Sequence, residues 1–161
     1  MFTLCRMQDG DAEVIRAWPP YDGVHAQMDY ALRDHGWLDV FGGKPDTFCY
    51  SAFDGGKLVG FGMLIGVDLE TEMRLAVHPC HLGEGLGRTL AEALVDAAFN
   101  EHLIDNLHLI VRKNNLVAQH LYRTMGFCQI GETTRLILGF NVLFFKFVMS
   151  RDQFNQKRKT R

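Results

Sequence analysis

The sequence predicts a mixed α/β fold in which a partly parallel, strongly twisted central sheet carries helices on both faces. Segments rich in strand-forming residues recur along the chain and are separated by Gly, Pro and Asp turn signals. From residue 86 onward, apolar residues also recur at helical spacing between such segments. A helix between two neighbouring strands requires a crossover connection, so part of the sheet is predicted to be parallel.

The size and charge of the chain fit one globular domain. With 161 residues, of which 47% are hydrophobic and 22% charged, the chain can bury a sizeable core. We assign residues 1–150 to that domain and residues 151–161 to a basic, solvated and frayed C-terminal tail. The net charge of -2 gives no support for a nucleic-acid partner or a highly basic protein target.

The ends of the chain and its cysteines indicate a compartment. The first residues lack the charged start and apolar run of a signal peptide, and the longest apolar stretch, residues 136–145, is too short to span a bilayer. The four cysteines stand far apart without a CxxC pair, and no cluster of His and Cys predicts a metal site. These features favour a reducing, cytoplasmic compartment and no membrane partner.

The first half of the chain predicts two helical segments among strands. The helices cover residues 9–18 and, less regularly, residues 24–41. The run Asp54-Gly55-Gly56-Lys57 is a strong turn signal that predicts a β-hairpin. Three glycines alternate between residues 60 and 66, which indicates that another element packs close to that strand's backbone. The strands predicted here are residues 2–7, 47–53, 58–67 and 72–78.

The second half predicts a strand, a glycine loop, a helix, a strand, a helix and two closing strands. Apolar residues from Leu86 onward recur at helical spacing. Either Asn114 or Asn115 suits the N-cap of the second helix, and Gly126 suits the position that ends it. The strands predicted here are residues 107–112, 127–138 and 141–150.

A glycine-rich loop between strand and helix is the first feature that indicates chemistry. From Val77 to Arg88 the chain reads VHPCHLGEGLGR. Glycine permits positive φ and close approach of a ligand, and the free N–H groups at a helix start bind phosphate oxygens. The loop therefore suits a pyrophosphate. It is neither the GxGxxG dinucleotide pattern nor a P-loop, and by itself it fits ordinary turn chemistry equally well.

A second motif, one strand downstream, decides between these alternatives. From Asn115 to Phe127 the chain reads NLVAQHLYRTMGF. Together with the loop, this segment resembles the GCN5-related N-acetyltransferase (GNAT) superfamily. In that family a Val-x-Pro strand end leads into [Gln/Arg]-x-x-Gly-x-[Gly/Ala], and Asn-x-x-Ala-x-x-Leu-Tyr-x-x-x-Gly-Phe follows. The resemblance is strong from about residue 72 to residue 127.

The resemblance implies an acetyltransferase domain over residues 1–150. Its implied activity is direct transfer of an acetyl group from acetyl-CoA to a primary amine in a ternary complex. The acceptor is a small molecule or a peptide whose identity stays open. One residue departs from the pattern, since Leu82 stands where the family usually has Gln or Arg. A cradle of backbone amides survives that change, whereas any side-chain contribution is lost.

The resemblance also implies which residues hold acetyl-CoA. Main-chain groups of the central strand would pair with the pantetheine arm as an added strand, and one N–H would polarise the thioester carbonyl. The loop would hold the pyrophosphate. Asn115 would bond the cofactor arm or simply cap its helix, and Arg88 would add a charge or simply be solvated. The expected binding residues are Leu75, Ala76, Val77, Leu82, Gly83, Gly85, Gly87, Arg88 and Asn115.

Two catalytic residues follow from the same resemblance and the chemistry. Tyr122 would be the general acid that protonates the departing thiolate. Glu72, ahead of Glu70, is the candidate base that takes a proton from the amine, and a chain of waters is the alternative. His78 is expected to be structural, although it flanks the loop.

The acceptor pocket is expected from the first two helices and the closing strands. Residues 18–41 offer aromatics and carboxylates, which would suit a cationic amine with an apolar body. Two rival functions are a CoA-binding sensor without turnover and an acyltransferase with a longer donor accommodated beside the alternating glycines. The apolar last strand, residues 142–149, would pair two copies into a homodimer if it formed an exposed edge.

Overall fold

The computed structural model describes residues 1–160 and shows a seven-stranded mixed sheet with helices on both faces. The strand order is β1-β2-β3-β4-β5-β7-β6, and among these neighbours only β4 and β5 are parallel. The predicted fold class is confirmed. The strands are β1 Phe2–Arg6, β2 Phe48–Asp54, β3 Lys57–Ile65, β4 Thr71–Val77, β5 Asn106–Arg112, β6 Cys128–Ile137 and β7 Phe140–Ser150.

The helices divide between the two faces. On the front face lie α1 Asp11–Arg16, a 3₁₀ segment Gly23–Leu32 and α2 Trp37–Phe41. On the back face lie α3 Leu86–Asp96, continued by a π-helical turn Ala97–Glu101, and then α4 Leu116–Met125 and α5 Arg151–Lys159. Each face buries its own apolar cluster against the sheet, and the back cluster is the larger.

The hairpin of β2 and β3 forms as the turn signal predicts. Gly55 and Gly56 both have positive φ, 57° and 80°, as a type I′ turn requires at its two central positions. The alternating glycines of β3 let α3 pack directly on the strand. A Cβ at Gly62 would lie 2.3 Å from the Leu94 side chain, and one at Gly60 would lie 3.0 Å from Leu90. The space beside these glycines is therefore filled by leucine side chains.

The second predicted helix, residues 24–41, is wrong as a single element. It breaks at His35, whose φ is 63°, and at Gly36, where a Cβ would come within 2.5 Å of the Ala31 carbonyl oxygen. The result is a 3₁₀ segment and a separate short helix. These two pieces can line a cleft because the chain turns between them.

The expected frayed tail is also wrong, because residues Arg151–Lys159 form α5. Ser150 and Gln153 make a reciprocal capping box at its start. Phe154 is buried and stacks on Phe99, with ring centroids 4.6 Å apart. The capping and the aromatic anchor hold this segment against the back face.

The proposed pairing of two copies through the last strand is wrong as well. β7 lies between β5 and β6, so both of its edges are already hydrogen-bonded. A homodimer stays a prediction, but β7 offers no free edge for it. Within residues 1–160, no helix is long and apolar enough to cross a membrane.

Candidate active site

The central sheet opens between its two parallel strands. β4 and β5 pair only at their beginnings, where Thr71 is opposite Leu107 and Glu72 is opposite His108. Beyond these residues the strands diverge, and a cleft of about 470 Å³ lies between residues 73–77 and 109–112. Strand edges inside a protein need hydrogen-bond partners, so this cleft suits a ligand with amide groups.

Strand alternation shows which main-chain groups face the cleft. The His78 N–H donates to the Val59 carbonyl at 2.8 Å, which fixes the phase of the β3–β4 ladder. Residues 73, 75 and 77 then point their N–H and C=O groups away from β3 and toward the cleft. The main-chain groups of Leu75 and Val77 therefore face the cleft, whereas those of Ala76 are turned toward β3. The Val77 carbonyl already accepts from the Tyr21 hydroxyl.

The glycine loop adopts the backbone that its sequence predicts. Gly83 and Gly85 both have φ of 81°, in the left-handed region that disfavours other residues. Gly85 is the N-cap of α3, and the first intrahelical bond runs from the Thr89 N–H to the Gly85 carbonyl at 3.2 Å. The N–H groups that precede Thr89 in α3 thus have no intrahelical partner. Leu82 and Gly87 line the cleft, so the loop borders the same space.

Arg88 does not line the cleft. Its guanidinium donates to Glu92 and to Thr124, each at 3.1 Å, and so ties α3 to α4. The prediction that Arg88 assists binding therefore has no support from its position.

Asn115 caps its helix and also lies at the cleft. Its Oδ1 accepts from the Ala118 N–H at 3.1 Å, which is the N-cap bond of α4. The same residue lines the cleft. Since the cap uses only the oxygen, the amide nitrogen is left to donate to a ligand.

Tyr122 lies on α4 and lines the cleft between β4 and β5. Only 9% of the residue is exposed, and the ring packs edge-on against Phe127. Burial raises the pKa of the Tyr122 phenol above its ordinary value. The hydroxyl is therefore held in its protonated form, as a proton donor requires.

Glu72 and Glu70 do not reach the cleft. Glu72 lies where β4 still pairs with β5, and its carboxylate accepts from the Arg74 Nε at 2.6 Å. Glu70 is exposed ahead of the strand. Neither carboxylate lines the cleft. Glu72 thus positions Arg74, and its role as a base has no support from its place in the fold.

His78 has the structural role that was predicted. Its Nδ1 accepts from the Cys80 N–H at 3.0 Å and so caps the turn that precedes the glycine loop. Its ring lies 5.0 Å from that of Trp18. Burial, followed by the neighbouring His81, lowers the pKa of His78.

Two carboxylates of the front face, Asp29 and Asp39, are bound to arginines of the same chain. Asp29 accepts from Arg33 at 2.8 and 3.1 Å, and this holds the pKa of its carboxyl below the ordinary value. Asp39 accepts from Arg16 at 2.5 Å. Neither carboxylate lines the cleft, so the expectation that they attract a cationic amine has no support from their positions. They brace the 3₁₀ segment and α2 instead.

The sequence analysis missed the charged residues that do line the cleft. Among the described residues there, no Asp or Glu is present, but three arginines are: Arg74, Arg112 and Arg135. His25 and His35 line it too. Strand alternation would have placed Arg74 and Arg112 on the front face together. No local motif marks them, because each comes from a different element.

We divide the cleft into two halves by these positions. The back half is bordered by the glycine loop, Asn115 and Tyr122. The front half is bordered by the side chains of the 3₁₀ segment, α2 and the β6–β7 hairpin. Residues 1–160 contain no group of three or more His, Cys, Asp or Glu arranged to hold a metal ion.

A cleft of this kind is suited to an acyl-CoA. The anion-binding helix start fits a pyrophosphate, and the open strand edge fits an arm with amide groups. The family model described as the Acetyltransferase (GNAT) family matches residues 12–127. The chain therefore belongs to the GNAT acetyltransferase family, whose acetyl donor is acetyl-CoA.

Relatives within this family differ in the acceptors for which they are named. The chain is 34% identical over 119 residues to a mycothiol acetyltransferase of Streptomyces coelicolor, covering 71% of this chain and 35% of that protein. It is 35% identical over 128 residues to the spermidine N(1)-acetyltransferase of Escherichia coli K12, covering 77% and 66%. The chain thus spans about a third and just under two thirds of these relatives' lengths.

The fold itself is shared over almost the whole chain. A chimera of the spermidine N-acetyltransferase of Vibrio cholerae superposes with a TM-score of 0.79 and covers 96% of this chain and 98% of its own. Identity is 20%, so this likeness concerns the fold.

Proposed function

We propose that this protein transfers an acetyl group from acetyl-CoA to a primary amine by direct attack in a ternary complex. The observation that carries the proposal is the opening of the sheet between β4 and β5 beside a glycine loop at a helix start. Both features border one cleft, which also contains a protonated tyrosine.

Main-chain groups would hold the donor. Acetyl-CoA supplies an activated acetyl thioester, and its pyrophosphate fits the left-handed glycines and free N–H groups at the start of α3. Its amide-bearing arm fits the free edge of Leu75 and Val77. An N–H of that edge would donate to the carbonyl oxygen as negative charge develops there. Leu82 weakens no step of this scheme, because the invoked contacts are main-chain.

Tyr122 would donate the proton that the leaving group needs. The amine nitrogen forms the new bond to the acetyl carbon, the carbon–sulfur bond breaks, and the phenol proton passes to the sulfur. The proton lost by the amine returns to the phenolate through water. Since burial favours the neutral phenol, the donor is loaded before each turnover.

The amine would lose its proton without a carboxylate base. No Asp or Glu is found among the described residues of the cleft, and the front half carries cations. Nearby positive charge lowers the pKa of a bound ammonium and so favours its neutral, nucleophilic form. Water, or one of the exposed histidines His25 and His35, would take the proton.

A sensor that binds CoA without turnover is the principal rival. The buried, protonated Tyr122 at the cleft has no evident purpose in a sensor. A longer acyl donor is the second rival, but the space beside Gly60 and Gly62 is filled by Leu90 and Leu94. That position therefore leaves no room for a longer acyl chain.

Two measurements test the proposal. Calorimetry with acetyl-CoA should show binding of one molecule per chain, and release of free CoA should then depend on an added primary amine. No binding would contradict the proposal at its first step. Binding with only amine-independent hydrolysis across a broad panel would favour the sensor.

A further inference from the structure

The front half of the cleft has an electrostatic character that polyamine binding does not explain. Three arginines line the cleft, and no carboxylate lines it among the described residues. A polycation such as spermidine would gain no ion pair here and would be repelled by these charges. One family member similar to this chain is named for spermidine, so the two proteins are expected to differ at the acceptor.

The arginines differ in how far they are already neutralised. Arg74 is paired with Glu72 at 2.6 Å and lies over the ring of Phe41 at 4.7 Å. Arg112 and Arg135 have no carboxylate within ion-pair distance in residues 1–160. Two uncompensated cations therefore face the cleft.

Arg112 is held in place by neutral partners. Its Nη2 donates to the Gln27 carbonyl at 3.2 Å, and its guanidinium lies 5.8 Å from the centre of the Phe144 ring. This residue is half-buried. A half-buried guanidinium that is fixed by a carbonyl and an aromatic ring keeps its full charge and most of its donors for a ligand.

A further donor in the front half lacks an acceptor. The indole N–H of Trp37 is buried and has no hydrogen-bond partner in residues 1–160. Trp37 lines the cleft beside Arg74, whose guanidinium lies 5.3 Å from its ring. Buried donors without a partner are rare in folded proteins. The front half thus carries positive charge and an unsatisfied donor, and its described lining residues include no carboxylate.

The remaining surface of the front half is apolar. Side chains of Met28, Val40, Phe41, Ile137 and Phe144 line it. Such a surface suits a compact apolar body rather than a fully charged chain.

We propose that the acceptor is a primary amine with an apolar body and an anionic group, and that Arg112 binds that anion with help from Arg135. This rests on the proposed acetyl transfer and names its substrate class. A carboxylate and a phosphate share the required chemistry. Pairing of the anion with Arg112 fixes the orientation of the acceptor, while the surrounding cations favour its neutral amine.

The test compares amines that differ only in the anion, with acetyl-CoA at saturation. The pairs are L-phenylalanine with 2-phenylethylamine, L-tyrosine with tyramine, and 4-aminobutyrate with butylamine. O-phosphoethanolamine with ethanolamine separates phosphate from carboxylate, and spermidine represents the polycation. We expect kcat/KM to be at least about 10-fold higher for the anionic member of the best pair. Preference for neutral members or for spermidine throughout would overturn the inference.

Three variants test which arginine binds the anionic group of the acceptor. Arg112→Gln should lower kcat/KM for the anionic acceptor about 10- to 100-fold, mostly through KM, and leave its neutral partner within about twofold. Arg112→Lys should retain part of the preference. Arg135→Gln should cause a smaller loss and cannot unfold the protein easily, because within residues 1–160 this exposed side chain bonds only to Thr133 and Thr134.

The control removes the same charge elsewhere. Arg158→Gln on α5 lies outside the cleft and should leave both members of each pair unchanged. Equal losses for anionic and neutral amines in Arg112→Gln would indicate a packing role and contradict the inference.

Calorimetry with acetyl-CoA distinguishes a failure of the anionic-acceptor inference from a failure of the proposed acetyl transfer. A wild-type protein that does not bind acetyl-CoA refutes both. One that binds acetyl-CoA but prefers neutral or polycationic amines refutes only the anionic acceptor. If no amine is turned over, the affinity of each amine is measured by titrating it into the complex of the protein with CoA. Equal affinities for the anionic and the neutral member of every pair would overturn the inference.

Discussion

The two halves of the cleft present different kinds of chemical groups. The back half presents main-chain groups, namely the free edge of β4 and the start of α3, and its shape depends on two left-handed glycines. The front half presents side chains from the 3₁₀ segment, α2, β4, β5 and the β6–β7 hairpin. Main-chain recognition leaves a local sequence pattern, whereas recognition by side chains from distant elements leaves none. This explains why the donor was predictable and the acceptor was not.

The largest effect is expected from substitution of Tyr122, which lies where the two halves of the cleft meet. Tyr122→Phe should lower kcat about 100-fold, because loss of a general acid typically costs at least that much, and should leave acetyl-CoA affinity nearly unchanged. Steady-state kinetics and calorimetry measure the two quantities. Tyr50→Phe is the matched control, since Tyr50 is also buried but lies outside the cleft. Unchanged turnover in Tyr122→Phe would remove the acid from the mechanism.

The same tyrosine sets an expectation for the pH profile. Burial raises the pKa of Tyr122 above its ordinary value near 10. A required phenol with this environment stays protonated as pH rises, so kcat should show no alkaline fall below about pH 10. A fall near pH 8 that vanishes in Tyr122→Phe would contradict the assignment.

The next effect concerns the back half alone. Gly85→Val should weaken acetyl-CoA binding about 10- to 100-fold, because a β-branched residue at φ of 81° is strained by about 1–3 kcal/mol and distorts the loop. Calorimetry measures the change. Gly131→Val provides the control, since that strand position has open space around it and no positive φ. Equal affinity for wild type and Gly85→Val would move the donor away from this loop.

A smaller effect, on the free energy of unfolding, is expected from loss of the Arg33 side chain that stabilises the front half. Arg33 donates to the carbonyls of Arg16 and Trp18 at 2.8 and 2.9 Å as well as to Asp29. Arg33→Gln should lower the free energy of unfolding by about 1–3 kcal/mol through these lost bonds. Urea denaturation measures it, and acetyl-CoA affinity should change little because the back half is untouched. A matched loss of donor binding would show that the halves are not independent.

The pairing of Arg33 with Asp29 makes this contribution to the free energy of unfolding depend on pH. The hydrogen bond from Arg33 holds the pKa of Asp29 below its ordinary value. As the pH falls below about 4, the unfolded state therefore takes up a proton at Asp29 more readily than the native state does. The ion pair stabilises the native state above about pH 4, and this stabilisation is lost as the pH falls further. Asp29→Asn should flatten that acidic loss. An unchanged slope would argue against the ion pair.

The smallest effect involves a cluster outside the cleft. The His102 ring and the Tyr50 hydroxyl share a hydrogen bond of 2.7 Å. Burial lowers the pKa of His102, although the nearby charge of Glu101 acts to raise it. A lowered pKa means that the unfolded state binds the proton more readily, so stability should fall as pH drops below about 6.5. His102→Gln should reduce this slope without touching kinetics. His78, whose pKa is also lowered, would supply the remainder.

The sequence alone was enough for the fold class, the hairpin turn, the glycine loop and, to within one residue, the cap of α4. Each of these depends on local chemistry: Gly55 and Gly56 permit a primed turn, Gly85 permits a left-handed cap, and Asn115 accepts from the Ala118 N–H. Local conformation follows from a few adjacent residues, so a short pattern predicts it.

The tertiary structure decided what the local pattern leaves open. The order of strands placed β7 inside the sheet and removed the expected edge, and packing of Phe154 on Phe99 turned a basic tail into a helix. Tertiary pairing also directed Asp39 to Arg16, 23 residues away, and within residues 1–160 it left Arg112 without a paired carboxylate. Charges interact through space rather than along the chain, so only the folded arrangement determined the electrostatic character of the acceptor site.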